Sequence, residues 1–93
     1  MIELKDTIEA MTSEDYKERF KAEYWQTKIR YEKLKDFNTK IEAADKVRFY
    51  DVKPKVEEPN HDCPFGVLTE QQSLMGQYLH ILELRALIEG IEL

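Results

Sequence analysis

MGQYLHILELRALIEG, residues 75–90, has the spacing of an α-helix but more apolar side chains than one helical face can hold. Leu79, Leu82 and Ala86 fall on one stripe, with Leu68 and Met75 upstream on the same face. Leu74, Tyr78, Ile81 and Ile88 form a second stripe about a quarter-turn away at roughly 100° per residue. A partner helix in the same chain can cover only one of the two. An apolar surface of the size left over on a small protein marks an interface. Arg85 lies at the edge of the second stripe, where a guanidinium is costly to bury without a carboxylate, a carbonyl or a ligand phosphate beside it. Gly90 suits the left-handed residue just past the helix end. Two starts compete upstream. One caps with Asp62 or Cys63 and places Pro64 near the first turn; the other uses Thr69 and Gln72 as a T-x-x-Q capping box. Gly66 weakens the earlier of the two.

The partner is legible in the first half. Phe20, Tyr24, Thr27, Tyr31, Leu34, Asn38 and Ile41 alternate spacings of four and three, a heptad seam sustained for about three heptads. Thr12 with Asp15 gives a capping-box pattern before it, and Glu14 and Asp15 put negative charge where the helix dipole favours it. Lys17, Glu18, Lys21, Lys28, Glu32 and Lys35 mix charges at neighbouring positions, the pattern of a solvated face. The helix should run over about residues 13–44, roughly 45 Å at 1.5 Å per residue. Residues 2–10, with Ile2, Leu4 and Ile8, make a short amphipathic helix that is marginal alone. In KVRFYDVKP, residues 46–54, Val47 and Phe49 alternate with Arg48 and Tyr50, suggesting an extended segment ended by Pro54. It either pairs with the same segment of another subunit or lies as an ordered loop.

The expected fold is therefore mainly α. A single domain, residues 1–93, forms an antiparallel helical hairpin with a short N-terminal helix, an extended or loop connection over 45–63 and a second helix over about 64–90. It assembles into a homo-oligomer.

Composition bounds the function. Ninety-three residues are close to the size at which one core barely offsets chain entropy, which again favours association. The formal charge of -5 argues against binding a nucleic acid polymer. The charge is uneven, with 11 basic and 11 acidic residues up to Tyr50 and 3 basic and 8 acidic after it. The first half can thus gather cations around a small anion. One cysteine, Cys63, excludes an internal disulfide framework and suits a reducing cytoplasm. The N-terminus lacks the basic start and apolar run of a signal peptide, and no run approaches the roughly 20 residues of a membrane span.

Catalytic chemistry finds little support. His61, Cys63 and His80 have neither the number nor the spacing of a zinc site, so no metal is expected. No feature supplies a base for Cys63, Glu57 and Glu58 sit in a polar connection without fixed geometry, and no phosphate-binding glycine loop is present. The chain is expected to be no enzyme and to carry no cofactor.

EDYKERFKAEYWQTKIRYEKL, residues 14–34, and DCPFGVLTEQQSLMGQYLHILELRALIEGIEL, residues 62–93, resemble a family of small phage and prophage proteins named after a crAss-like phage gene product. The second segment also resembles the helical hairpin of phage anti-CBASS and anti-Thoeris sponge proteins, through Leu68, Gln72, Met75, Tyr78, Leu82 and Arg85 at helical spacing. The resemblance implies capture without turnover: helical hairpins assemble, and pockets between subunits hold a cyclic oligonucleotide or a cyclic ADP-ribose isomer in the cytoplasm of the infected cell. Residues 46–60 depart from what either family leads one to expect.

Such a ligand needs aromatic faces for its bases, about 1 to 3 kcal/mol per stacked base, and Arg or Lys groups for its phosphates. Tyr16 with Arg19, Tyr24 with Lys28, the group Arg48, Tyr50 and Lys53, and finally Arg85 are the candidates. Each has a structural alternative: Tyr24 and Tyr31 lie on the heptad seam, Arg48, Tyr50 and Lys53 can be the outward side of an extended segment, and Arg85 can pair with Glu89. Two other functions fit the same sequence. One is an interaction protein that binds and inhibits a host defence protein through its acidic second half; the other is a purely structural helical assembly.

Overall fold

The computed structural model describes residues 2–52 and 56–93, and among them it is helical with no strand. A 3-10 turn, Leu4–Thr7, runs into the one-turn helix α1 (Ile8–Met11), followed by α2 (Tyr16–Tyr50) and α3 (Phe65–Glu89). α2 and α3 lie antiparallel. Tyr16 at the start of α2 reaches Glu89 at the end of α3, while Asn38 reaches Leu68 in the first turn of α3. The molecule measures 54 × 25 × 23 Å, and its long dimension is set by the 35 residues of α2 at 1.5 Å each.

The two apolar seams meet as their spacing requires. Phe20 and Tyr24 of α2 pack with Leu79, Leu82 and Ala86 of α3 and with Ile91 beyond it, and Trp25 and Tyr31 lean on this cluster. Farther along, Asn38 is buried within the seam. Its Nδ2 donates to Leu68 O at 3.1 Å and to Gln72 Oε1 at 2.9 Å. A polar side chain at a seam position fixes which residues face each other, because slipping the helices leaves its donors unpaired. Gly76 lies opposite Tyr31, where a Cβ would come within 3.3 Å of the ring. The glycine lets the helices approach at that level.

The helix ends differ from their sequence-based positions in instructive ways. Asp15, rather than Thr12, caps α2: its Oδ1 accepts from the Lys17 amide at 2.9 Å, while the Thr12 hydroxyl donates back to Glu9 O. At the other end α2 continues to Tyr50, so residues 46–50 are helical rather than extended. The alternation of Val47 and Phe49 was too short to decide between the two periods. β-Branched residues cost a helix only a few tenths of a kcal/mol, and no glycine or proline interrupts the chain before Asp51. Asp51 takes the left-handed conformation, φ 51°, and closes the helix with its amide on Val47 O. For α3 the earlier start prevails at Phe65, and Thr69 donates to Gly66 O at 3.0 Å instead of capping.

Gly90 ends α3 as its position suggested, with φ 70°, and the Ile91 amide donates to Ala86 O at 2.8 Å. This turn folds Ile91 back into the core. No atom would oppose a Cβ at Gly90, so the cost of Gly90→Ala is conformational, about 1 kcal/mol. Urea denaturation should show the midpoint falling with its slope unchanged.

Candidate functional site

Of the seven sequence candidates among the described residues, the structure brings three together and places the other four elsewhere. Tyr16 and Arg19 from the start of α2 and Arg85 from the last turns of α3 line one cleft of about 390 Å³, beside Phe20 and Glu23. Arg85 Nη2 donates to the Tyr16 hydroxyl at 2.5 Å, and Arg85 Nε donates to Glu89 Oε2 at 3.2 Å. Tyr16 donates in turn to Glu89 Oε1 at 2.8 Å. The guanidinium stands 5.0 Å from the Phe20 ring centroid, a cation–π contact. Glu89 holds the Tyr16 phenol above its ordinary range and keeps Arg85 more firmly protonated. Arg19 Nη1 donates to Ser13 O at 2.6 Å. Within one chain, then, both arginines of this cleft already have partners, and the Arg85 to Glu89 pairing weighed from the sequence is present.

Tyr24 is core. It is buried under α3, donates to Glu83 Oε2 at 2.7 Å and meets the edge of Trp25 with ring centroids 5.2 Å apart. Burial, and then the hydrogen bond to Glu83, push its phenol from about 10 to about 12. The neutral phenol that this favours is fully present below pH 10, and the favourable contribution is lost as the pH rises through 12. The hairpin should therefore lose stability across that interval. Tyr24→Phe should remove this alkaline step, read by helical circular dichroism alongside tyrosinate absorbance.

Lys28 belongs to a different groove, between the N-terminal segment and α2, and pairs with Glu32 at 3.3 Å. Arg48 and Tyr50 sit in the last turn of α2, far from both. Arg48 pairs with Glu58 at 2.9 Å, and Glu58 also meets His61 Nε2 at 3.2 Å. His61 Nδ1 lies 2.7 Å from Cys63 O, an interaction that, with Glu58, raises the imidazole's affinity for its proton; Arg48 and His61 lower that of Glu58. These contacts tie the connection to the end of α2. Tyr50 is exposed and stacks edge-on against Phe49 at 4.9 Å. Lys53 lies outside the described residues. The seven described candidates thus do not form one site within a single chain.

The second stripe of α3 is open. Val67, Leu74, Ile81 and Ile88 recur every seven residues, with Gln71, Tyr78 and Arg85 interleaved, and every one of these side chains is exposed. This is a second heptad seam on the flank of α3, about a quarter-turn from the stripe packed on α2. Tyr78 reaches across to donate to Glu23, which anchors the seam's edge to α2. The stripe is legible in the sequence; Trp25 is signalled only by its spacing of four from Ile29, off the main seam of α2.

No described helix is long and apolar enough to cross a membrane, and no group of three or more metal-ligating side chains occurs among the described residues. Fold and surface together define a small two-helix hairpin protein with one seam satisfied internally and one seam bare. The chain matches the Sequestin family model over residues 14–88, and it belongs to that family. Comparison with curated proteins and with solved structures finds no match.

Proposed function

We propose that the protein is a phage-encoded anti-defence sponge. It binds a cyclic nucleotide immune signal, a cyclic oligonucleotide or a cyclic ADP-ribose isomer, in the cytoplasm of the host cell and holds it without turnover. The observation that carries this reading is membership of the Sequestin family over four-fifths of the chain, a family whose name denotes sequestration. The bare heptad seam of α3 supports assembly into a homo-oligomer, and the pairing of Arg19, Lys28, Arg48 and Arg85 within one chain means that ligand phosphates must displace internal partners or find other cations.

Isothermal titration against cyclic dinucleotides, cyclic trinucleotides and cyclic ADP-ribose isomers tests the reading, with mass spectrometry of the ligand released on denaturation. Saturable binding below the micromolar range with the ligand returned intact is the expected result. Absence of binding to every member overturns it, and ligand returned altered would identify an enzyme. The same bare seam also fits direct inhibition of a host defence protein. That reading requires a stoichiometric protein complex from host lysate and no small molecule.

A further inference from the structure

We propose that the groove between the N-terminal segment and α2 is the base-stacking site for a nucleotide phosphodiester, with Trp25 as the platform and Lys33 as the principal phosphate contact. The inference rests on the sponge reading and assigns it a place in the fold. The groove is open along one side and has a volume of about 850 Å³, within the roughly 300 to 1,000 Å³ of small-molecule sites and well above the 390 Å³ of the Arg85 cleft. Its floor is apolar: Trp25 and Ile29 come from α2, and Ile2 and Leu4 from the segment opposite. Three lysines stand around it, Lys5, Lys28 and Lys33, in a chain whose net charge is -5.

Those lysines are not equivalent. Lys5 pairs with Glu3 at 3.4 Å and Lys28 with Glu32 at 3.3 Å, while Lys33 forms no ion pair among the described residues. Exposed pairs of this kind are weak, so a phosphate can take over Lys28 and Lys5 after binding first at Lys33. Trp25 is held from behind by its perpendicular contact with the buried Tyr24 ring, interplanar angle 87°. A fixed indole beside ammonium groups suits a flat base joined to a diester, because every base has a face to stack and the phosphate carries the charge. Of the side chains that recognise the ligand, only Lys28 then belongs to the candidate clusters visible in the sequence.

Trp25 is the only tryptophan, so its emission reports on the groove directly. Titration with cyclic di-AMP, cyclic GMP–AMP, cyclic tri-AMP and cyclic ADP-ribose should change Trp25 emission and shield it from acrylamide at the concentrations where calorimetry records binding. Trp25→Ala should weaken calorimetric binding about tenfold or more, and Trp25→Phe should restore most of it. Lys33→Gln, at an exposed position that leaves the fold intact, should weaken binding several-fold and flatten its salt dependence. If Lys33→Gln binds as tightly as the native chain and native emission is unmoved while calorimetry still shows binding, the groove assignment falls and the sponge reading stands. If no nucleotide binds, both fall. Quenching by a long-chain fatty acid and by none of the nucleotides overturns the assignment too.

Discussion

Leu82→Ala is expected to lower the unfolding free energy by about 3 kcal/mol, within the roughly 2 to 5 kcal/mol typical of buried leucines. Leu82 is 1% exposed and lies where the α2 and α3 seams meet, in the cluster of Phe20, Tyr24, Leu79 and Ala86. Removing its isobutyl group costs the transfer of those carbons and leaves a cavity that two long helices, pinned on either side by Asn38 with Gln72 and by Tyr16 with Glu89, cannot collapse to fill. For a chain of this size, where total stability is about 5 kcal/mol or somewhat more, that is most of the margin. The thermal midpoint should fall by about 12 to 24 °C. Ile88→Ala is the comparison: at 82% exposure the side chain touches little in its own chain and should change the stability of the isolated hairpin by about 0.5 kcal/mol at most. Denaturation of both variants at low and high protein concentration separates the two seams. Equal losses at low concentration would mean that Leu82 is not where the core sits, whereas a loss in Ile88→Ala that appears only at high concentration would place Ile88 in an interface.

The part of this fold that the sequence made legible is the part governed by periodicity. Phe20, Tyr24, Asn38 and Ile41 keep a heptad spacing, Leu79, Leu82 and Ala86 keep the complementary one, and all seven are buried. The polar members of the first seam were readable as seam positions, but their pairing was not. That Asn38 faces Gln72 depends on the register between helices 30 and more residues apart, which no local pattern specifies. The site followed the same division. Arg85 with Glu89 is an i, i+4 pair and could be anticipated on the helix surface, while Tyr16 as their common partner lies 69 residues from Arg85 in the chain and enters only once the hairpin closes. The end of α2 was missed for a different reason. Four alternating residues satisfy a strand pattern, but a helix already 30 residues long adds each further residue at little cost, so it propagates until a stop at Asp51. Trp25 is a single large aromatic side chain beside the main seam, too isolated for a periodic signal, although Trp25 and Ile29 share the face that the N-terminal segment covers.

Replacing Ile81 and Ile88 together by Glu is expected to turn an assembled protein into a folded monomer. Both are exposed at successive heptad positions of the outer α3 seam, so neither substitution disturbs the α2 packing, and far-UV circular dichroism should be unchanged at low concentration. In an assembly their effect is large. Covering an isoleucine contributes about 1.5 to 3 kcal/mol, and a two-fold interface uses each position twice. Even a net loss of about 3 kcal/mol, after discounting the cost of association, raises the dissociation constant over a hundredfold at 1.4 kcal/mol per factor of ten. Buried carboxylates facing one another would add to this. Arg85→Ala is a poorer probe of the same question, since its Tyr16 and Glu89 partners belong to its own chain and the variant would perturb the hairpin end along with any interface. Sedimentation of the native chain and the double variant over a range of micromolar concentrations gives the answer. A native chain that sediments as a monomer throughout removes the case for a self-associating seam. A double variant that stays assembled means that subunits meet elsewhere. Dissociation in the variant with nucleotide binding retained would further place the ligand within a single hairpin, where the Trp25 groove lies, and not between copies.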